Sequence, residues 1–342
     1  MSFLRQQLTR IVLVARPRIW HGVLRLPADG RTLTVFGSQH ACFTYQRAFF
    51  GSSADTVVRQ LRLTSPSWQS AVAKAHQSSA LTVIQGCNPP APWNRTALPV
   101  PRFVRLVIPL RESVEAHVAS LSSWARRDIQ KARSAGFTWE VARDPSWSGE
   151  FKHRFHDPSI RNRHGDSGLL ESSRRLRRMM SHGEAEFIRV LADGACVAAA
   201  ACQRQGPRYG ATSFGWLEGS GQWLKAGAMG AIYWSMLQRA YALGCTELDL
   251  GGAPPFLNNG LLSYKSKWGS LLVPEESQGY PVDHLLLNPS QPGWRGFVEN
   301  HPLIVWGSSS SFEACSVQAP EDIPLQPGIR SCIQRWHRFS ES

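Results

Sequence analysis

Residues 225–230, Lys225-Ala226-Gly227-Ala228-Met229-Gly230, combine the features that a bound anion needs. Small residues let a backbone approach a ligand closely. They open an apolar-periodic segment, and a helix start leaves N–H groups free and presents the positive end of its dipole. Lys225 adds a charge. Together these describe a site for a pyrophosphate, phosphate or carboxylate. Tight helix–sheet packing is the alternative reading of Gly227 and Gly230.

Two basic clusters follow in importance: Arg126, Arg127, Lys131 and Arg133, then Arg174, Arg175, Arg177 and Arg178. Arg127 and Lys131 share one helical face, as do Arg174 and Arg178. Either cluster suits the backbone of tRNA or an anionic membrane surface; an ordinary solvated face is the plainer explanation. The 342-residue chain carries a net charge of +13, which favours polyanionic partners or a nucleotide co-substrate.

Other chemistries find no motif. There is no GxSxG elbow, no HExxH and no GxxxxGK[ST] loop, and Gly219-Ser220-Gly221 reads as a turn. The seven cysteines include no CxxC pair, so neither a metal site nor a disulfide framework is expected. The apolar patch at 11–15 is too short to span a bilayer and lacks the layout of a secretion signal, so a cytoplasmic location is expected.

The elements that would position these residues can be read from periodicity. Residues 31–36 and 80–84 alternate or run apolar as strands, 53–63 reads as a short helix, and the proline-rich stretch 88–101 reads as a linker or an extended crossing segment. Residues 103–110 form a strand, and 113–134 a helix interrupted near Ser122-Ser123 and closed by Gly136. Residues 137–143 form a strand, and 169–180 a very basic helix. Three strands, 186–191, 196–204 and 209–217, are joined by Asp193-Gly194 and Gly206-Pro207 as a meander. Met229, Ile232, Tyr233, Met236, Leu237 and Ala240 make one apolar helical stripe, with Gly244 as its cap. A strand at 245–250 ends at Gly251-Gly252, 261–268 reads as a last strand, and 293–306 holds a helix.

This order resembles the GNAT acyltransferase fold. Within that superfamily the chain is similar to the Fem-type peptidoglycan-bridge aminoacyltransferases and to CelD-like acetyltransferases. The segments that carry the resemblance are SSWARRDIQKARSAG (122–136), RNRHGD (161–166), KAGAMGAIYWSMLQRAYALGCTELDLGG (225–252) and GLLSYKSKWGS (260–270). The resemblance implies an α+β fold, a mixed, mostly antiparallel sheet flanked by helices, with two GNAT-type units in tandem. These would be a degenerate unit at 1–102, an acyltransferase domain at 103–290 and a C-terminal extension at 291–342.

It also assigns roles. Lys225, Ala226, Gly227, Ala228, Met229 and Gly230 would hold the phosphates of the acyl donor. Tyr264 and Lys265 match an aromatic-Lys pair at the acyl-transfer centre, where a lysine can neutralise charge developing on the carbonyl oxygen or leaving group. Lys267, on the same strand face by parity, competes for that role. Asp249 would orient or deprotonate an amine, or simply cap the following turn. Arg161, Arg163 and His164 would bind a phosphorylated or nucleotide-linked acceptor, or pair with Asp157 and Asp166. Arg127 and Lys131 would contact the substrate.

No tightly bound cofactor is expected. The co-substrate is acyl-CoA or aminoacyl-tRNA, and the acceptor an amine or hydroxyl on a nucleotide-linked, lipid-linked or peptide-like molecule, with peripheral membrane contact. A non-catalytic RNA- or membrane-binding protein on the same scaffold is the contrasting expectation.

Overall fold

A computed structural model describes residues 18–24, 31–51, 57–63, 65–165, 170–181, 183, 185–274, 282–307 and 311–339. The first unit comprises β1 (Arg18–Leu24), β2 (Leu33–Gly37), α1 (Gln39–Phe50), β3 (Val57–Leu63), α2 (Ser65–Ser78), β4 (Leu81–Gln85) and β5 (Leu98–Pro101). Val57–Leu63 was expected to be helical. It pairs along its full length with β1 instead, because the β-branched pair Val57-Val58 and the open edge of β1 outweigh helical spacing. Residues 53–56 of that expected helix lie outside the described residues. The proline-rich stretch ends as β5, the extended of the two forms expected for it.

The second unit contains β6 (Val104–Pro109), α3 (Val114–Ser120), α4 (Ser123–Ser134), β7 (Thr138–Ala142), α5 (Asp157–His164) and α6 (Ser173–Ser181). It continues with β8 (Ala185–Ala192), β9 (Ala195–Gln205), β10 (Arg208–Trp216), α7 (Gly221–Ala226), α8 (Ala228–Ala242), β11 (Glu247–Ala253), α9 (Gly260–Ser266) and β12 (Leu271–Val273). The chain closes with β13 (Val282–Leu287), α10 (Trp294–Asn300), β14 (Leu303–Trp306), β15 (Phe312–Ser316), α11 (Pro327–Cys332) and β16 (Ile333–Arg338).

Among the described residues the first sheet has the order β3-β1-β2-β4-β13-β5, and the second β12-β6-β11-β10-β9-β8-β7. One strand of the first sheet, β13, thus comes from the 103–290 segment. The C-terminal residues join both units. Phe297, Leu303 and Val305 pack on the first sheet, while Ile304, Phe312 and Ile329 pack against Val104, Leu106 and Leu262 of the second.

In the second sheet the alternation of β8 and β9 serves two layers. Ile188, Val190, Ala198 and Ala200 face α4 and α8. Phe187, Ala199 and Ala201 face the π-helical turn Phe151–His156 and α6. The alanines of β9 let helices approach from both sides. The turn Asp193-Gly194 has φ of 49° and 76° at its two centres, the primed geometry that matches strand twist.

Residues 261–268 are not a strand. The Asn259 side chain accepts the N–H groups of Leu261 and Leu262, and this cap starts α9. Leu262, Lys265 and Ser266, spaced as one helical face, are buried. The Asn-Gly pair before the segment was the local signal for a helix start.

Candidate active site

The strands β10 and β11 run parallel and stay paired only at their starts, through Arg208 with Glu247, Tyr209 with Leu248 and Gly210 with Asp249. Beyond that rung β10 continues to Trp216 and β11 to Ala253, so their facing edges part. Gly210 permits the last rung, since a Cβ there would stand 2.5 Å from the Asp249 Cβ. Past it β11 is bulged: its register against β6 shifts between Asp249 and Gly252, and Gly251 adopts φ +74°.

Lys265 fills the opening. It is 3% exposed, and its Nζ donates to the Gly252 carbonyl at 2.7 Å. A Cβ on Gly251 would lie 3.7 Å from both this Nζ and the Ala211 carbonyl, which puts the amine beside the β10 and β11 backbones just past the split. Burial lowers the Lys265 pKa to about 7, against the opposing charge of Asp249. An ammonium has three donors, and Gly252 uses one. No other acceptor contacts this group among the described residues.

Asp249 is committed to its own strand. One oxygen accepts the Gly251 N–H at 2.7 Å and holds the bulge; the other takes Arg105, through Nε at 2.5 Å and also through Nη2. Lys267, the competitor of Lys265, lies outside the split. It follows α9 and sits over the Trp124 ring, 4.9 Å from its centroid. A helix turns residues two apart in different directions, so the parity expected of a strand does not apply.

Tyr264 lies behind Lys265, its ring 5.6 Å from that of Tyr233, which in turn meets Trp268 at 5.3 Å. Burial first, and the neighbouring Asp128 carboxylate second, push the Tyr264 hydroxyl well above its ordinary range. Asp128 also underlies Gly230: a Cβ on Gly230 would stand 2.9 Å from the Asp128 carbonyl. One residue of α4 therefore touches both the glycine stretch and the aromatic partner of Lys265.

The glycine stretch itself is a joint between helices. α7 ends at Ala226, Gly227 turns with φ +104°, and α8 begins at Ala228. The Gly227 N–H donates back to Trp223 and Leu224. A Cβ on Gly227 would meet Lys131 Cγ at 3.2 Å, so both glycines face α4, not the sheet. Lys225 and Met229 flank the joint without a polar contact to Lys265, and Ala228 is buried in the core.

The arginines divide. Arg163 lies over the Trp216 ring at 5.6 Å, and its charge reaches the buried Tyr233 hydroxyl. Arg161 points to solvent. Asp157 pairs with Lys152, not with either arginine. The side chain of His164 and all of Asp166 lie outside the described residues. Arg127 covers the Trp124 ring at 4.1 Å, on the outer face of α4. Sequence reading missed Arg105, Asp128, Tyr233 and Gly252. Asp128 carried a signal, as the lone acid in the basic run RRDIQKAR.

Residues 119–266 match the family model described as an acetyltransferase (GNAT) domain. Over those residues the chain is similar to the GNAT acyltransferase superfamily. Among solved structures it is similar to FemX at 14% identity, covering 79% of this chain and 86% of that one, with a TM-score of 0.42. It is similar to L-PGS from Bacillus licheniformis at 10% identity, covering 80% and 82%, with a TM-score of 0.38. It is also similar to a GCN5-related N-acetyltransferase from Kribbella flavida at 11% identity, covering 90% and 68%, with a TM-score of 0.31. No curated protein sequence matches the chain. Among the described residues no helix is long and apolar enough to cross a membrane.

Proposed function

We propose that the protein moves an acyl group from acyl-CoA to an amine or hydroxyl acceptor at the split between β10 and β11. The observation that carries this reading is Lys265, a buried amine with unused donors placed where two parallel strands part. Past the Gly210–Asp249 rung the two edges are no longer paired with each other. An extended, amide-bearing arm such as that of CoA can pair with such edges as an added strand would. The thioester would then lie beside Lys265.

In the protonated state Lys265 stabilises the oxyanion that forms when the acceptor attacks the carbonyl. In the neutral state it accepts the proton that the acceptor amine or hydroxyl must lose, and as the thioester C–S bond breaks it can return that proton to the departing CoA thiolate. A pKa of about 7 makes both states available near neutrality. Asp249 acts through Lys265 and through the bulge it holds. Arg163, held over the Trp216 ring, would meet the acceptor.

An aminoacyl-tRNA donor is the second reading, favoured by the +13 charge and the cations of α4. Thermal shifts with acetyl-CoA, longer acyl-CoA and aminoacyl-tRNA, followed by turnover assays, decide between the two. CoA-dependent stabilisation together with loss of turnover in Lys265→Ala supports the first reading. Stabilisation by aminoacyl-tRNA alone supports the second. No shift from any donor sinks both.

A further inference from the structure

The outer face of α4 has an arrangement that neither the core nor the reaction requires. Ala125, Ile129 and Ala132 face inward, and Asp128 is turned towards Tyr264. Trp124, Arg127 and Lys131 stand on the outer stripe at spacings of three and four. Trp124 is 56% exposed, unusual for so large an apolar side chain. Arg127 and Lys267 both lie over its ring, at 4.1 and 4.9 Å. The Ser122 hydroxyl donates to the Lys267 carbonyl at 2.7 Å, which fixes the end of α9 against α4.

None of Arg127, Lys131 and Lys267 meets a carboxylate among the described residues, whereas Arg143, Arg154, Arg175, Arg189, Arg208 and Arg239 all do. Arg126 is spent on the carbonyls of Ala119 and Leu121, and Arg133 covers Trp234. What remains is a tryptophan covered by two cations, with Lys131 further along the same stripe, and none of the three meets a carboxylate among the described residues.

We propose that this face docks on an anionic lipid bilayer, with Trp124 entering the headgroup region and Arg127, Lys131 and Lys267 meeting lipid phosphates. An indole belongs at that depth, because its ring is apolar and its N–H is polar. Nucleic acid fits the charge but not the ring. A stacking platform needs a free π face, and Arg127 and Lys267 already engage that of Trp124. The proposal stands apart from the reading of the reaction. If both hold, the surface places the Lys265 split close to the bilayer through Asp128 and Tyr264.

Flotation of the full chain with phosphatidylcholine vesicles, with and without phosphatidylglycerol, tests it. Binding is expected only to the anionic vesicles, falling about fivefold for each of Arg127→Gln and Lys131→Gln. Trp124→Ala should also weaken it several-fold. Brominated acyl chains should quench part of the tryptophan emission, and that quenching should vanish in Trp124→Phe. Arg174→Gln with Arg177→Gln, on the opposite side of the sheet, should retain binding. All substituted residues are exposed or half-exposed, so unchanged melting temperatures separate a docking defect from misfolding. Binding that ignores Trp124 and Arg127, or a Trp124-dependent affinity for RNA without vesicle binding, overturns the proposal.

Discussion

The amine of Lys265 donates to the Gly252 carbonyl at 2.7 Å, across the point where β11 leaves β10. A buried cation normally has a carboxylate in contact, but here Asp249 is bound to Arg105 and to the Gly251 N–H. Burial therefore dominates, and the amine titrates near neutrality.

This has a consequence for stability. The folded-state value of about 7 lies below the ordinary 10.5, so between the two the unfolded chain holds a proton that the folded chain lacks. Stability should rise with pH across that window and carry the full cost of the buried cation below it. Lys265→Met removes the titration. Its stability relative to the parent should be greatest at about pH 6 and decline towards about pH 9, as urea midpoints would show. A difference independent of pH would mean that Lys265 is not neutral when buried.

Turnover and donor binding should separate at the same residue. Lys265→Ala is expected to lower kcat by about a hundredfold or more. The dissociation constant for the donor should change by no more than about twofold, since Lys265 contributes chiefly after the donor is bound. Equal activity would remove Lys265 from the reaction centre.

Asp249→Asn tests the indirect role of that residue. The amide can still accept the Gly251 N–H, but the negative charge that favours protonated Lys265 is lost. The limb of the pH–rate profile governed by Lys265 should move to lower pH. A rate that drops equally at every pH would indicate a structural effect alone.

Gly230 is where the packing is tightest in the expected phosphate stretch. A Cβ there would press on the Asp128 backbone at 2.9 Å, and backbone cannot swing aside as a side chain does. Gly230→Ala should cost about 1–3 kcal/mol in a denaturant titration. Gly230→Leu should cost more and disturb the contact of Asp128 with Tyr264. A neutral Gly230→Ala would return the glycine to a ligand role.

Glu186 holds the far end of the same helix. It accepts Arg239 at 2.6 and 2.9 Å, Arg143 at 3.0 Å and the Tyr209 hydroxyl at 3.0 Å. Burial pushes its carboxyl up, but Arg239, Tyr209 and Arg143 together outweigh this and hold it below its ordinary value. Its contribution is thus present above the ordinary carboxylate range and lost as pH falls through the lowered value. Glu186→Gln should cost about 3 kcal/mol near neutrality and flatten the acid limb of the stability profile.

Much of the second unit was legible because its signals are local. The Asp193-Gly194 turn, the break before Ser123 and the apolar stripe ending at Gly244 each need only neighbouring residues. The strand read at 261–268 failed because alternating Ser-Tyr-Lys-Ser-Lys imitates a strand, while the deciding Asn259 cap lies just before it. Val57–Leu63 failed for the opposite reason: its partner β1 is far away in the chain.

The sequence by itself determined most of the element order between β6 and β11, the two basic helices, the Lys265 and Tyr264 pair and the small residues at 225–230. Periodicity, turn chemistry and charge are properties of short stretches, so one chain suffices to read them. Only the tertiary structure decided what those residues do. It gave Gly227 and Gly230 to α4, Asp249 to Arg105, and Lys265 to the split between β10 and β11. Each of these depends on segments tens of residues apart meeting in space. Burial, which sets the charge of Lys265, exists only after they have met.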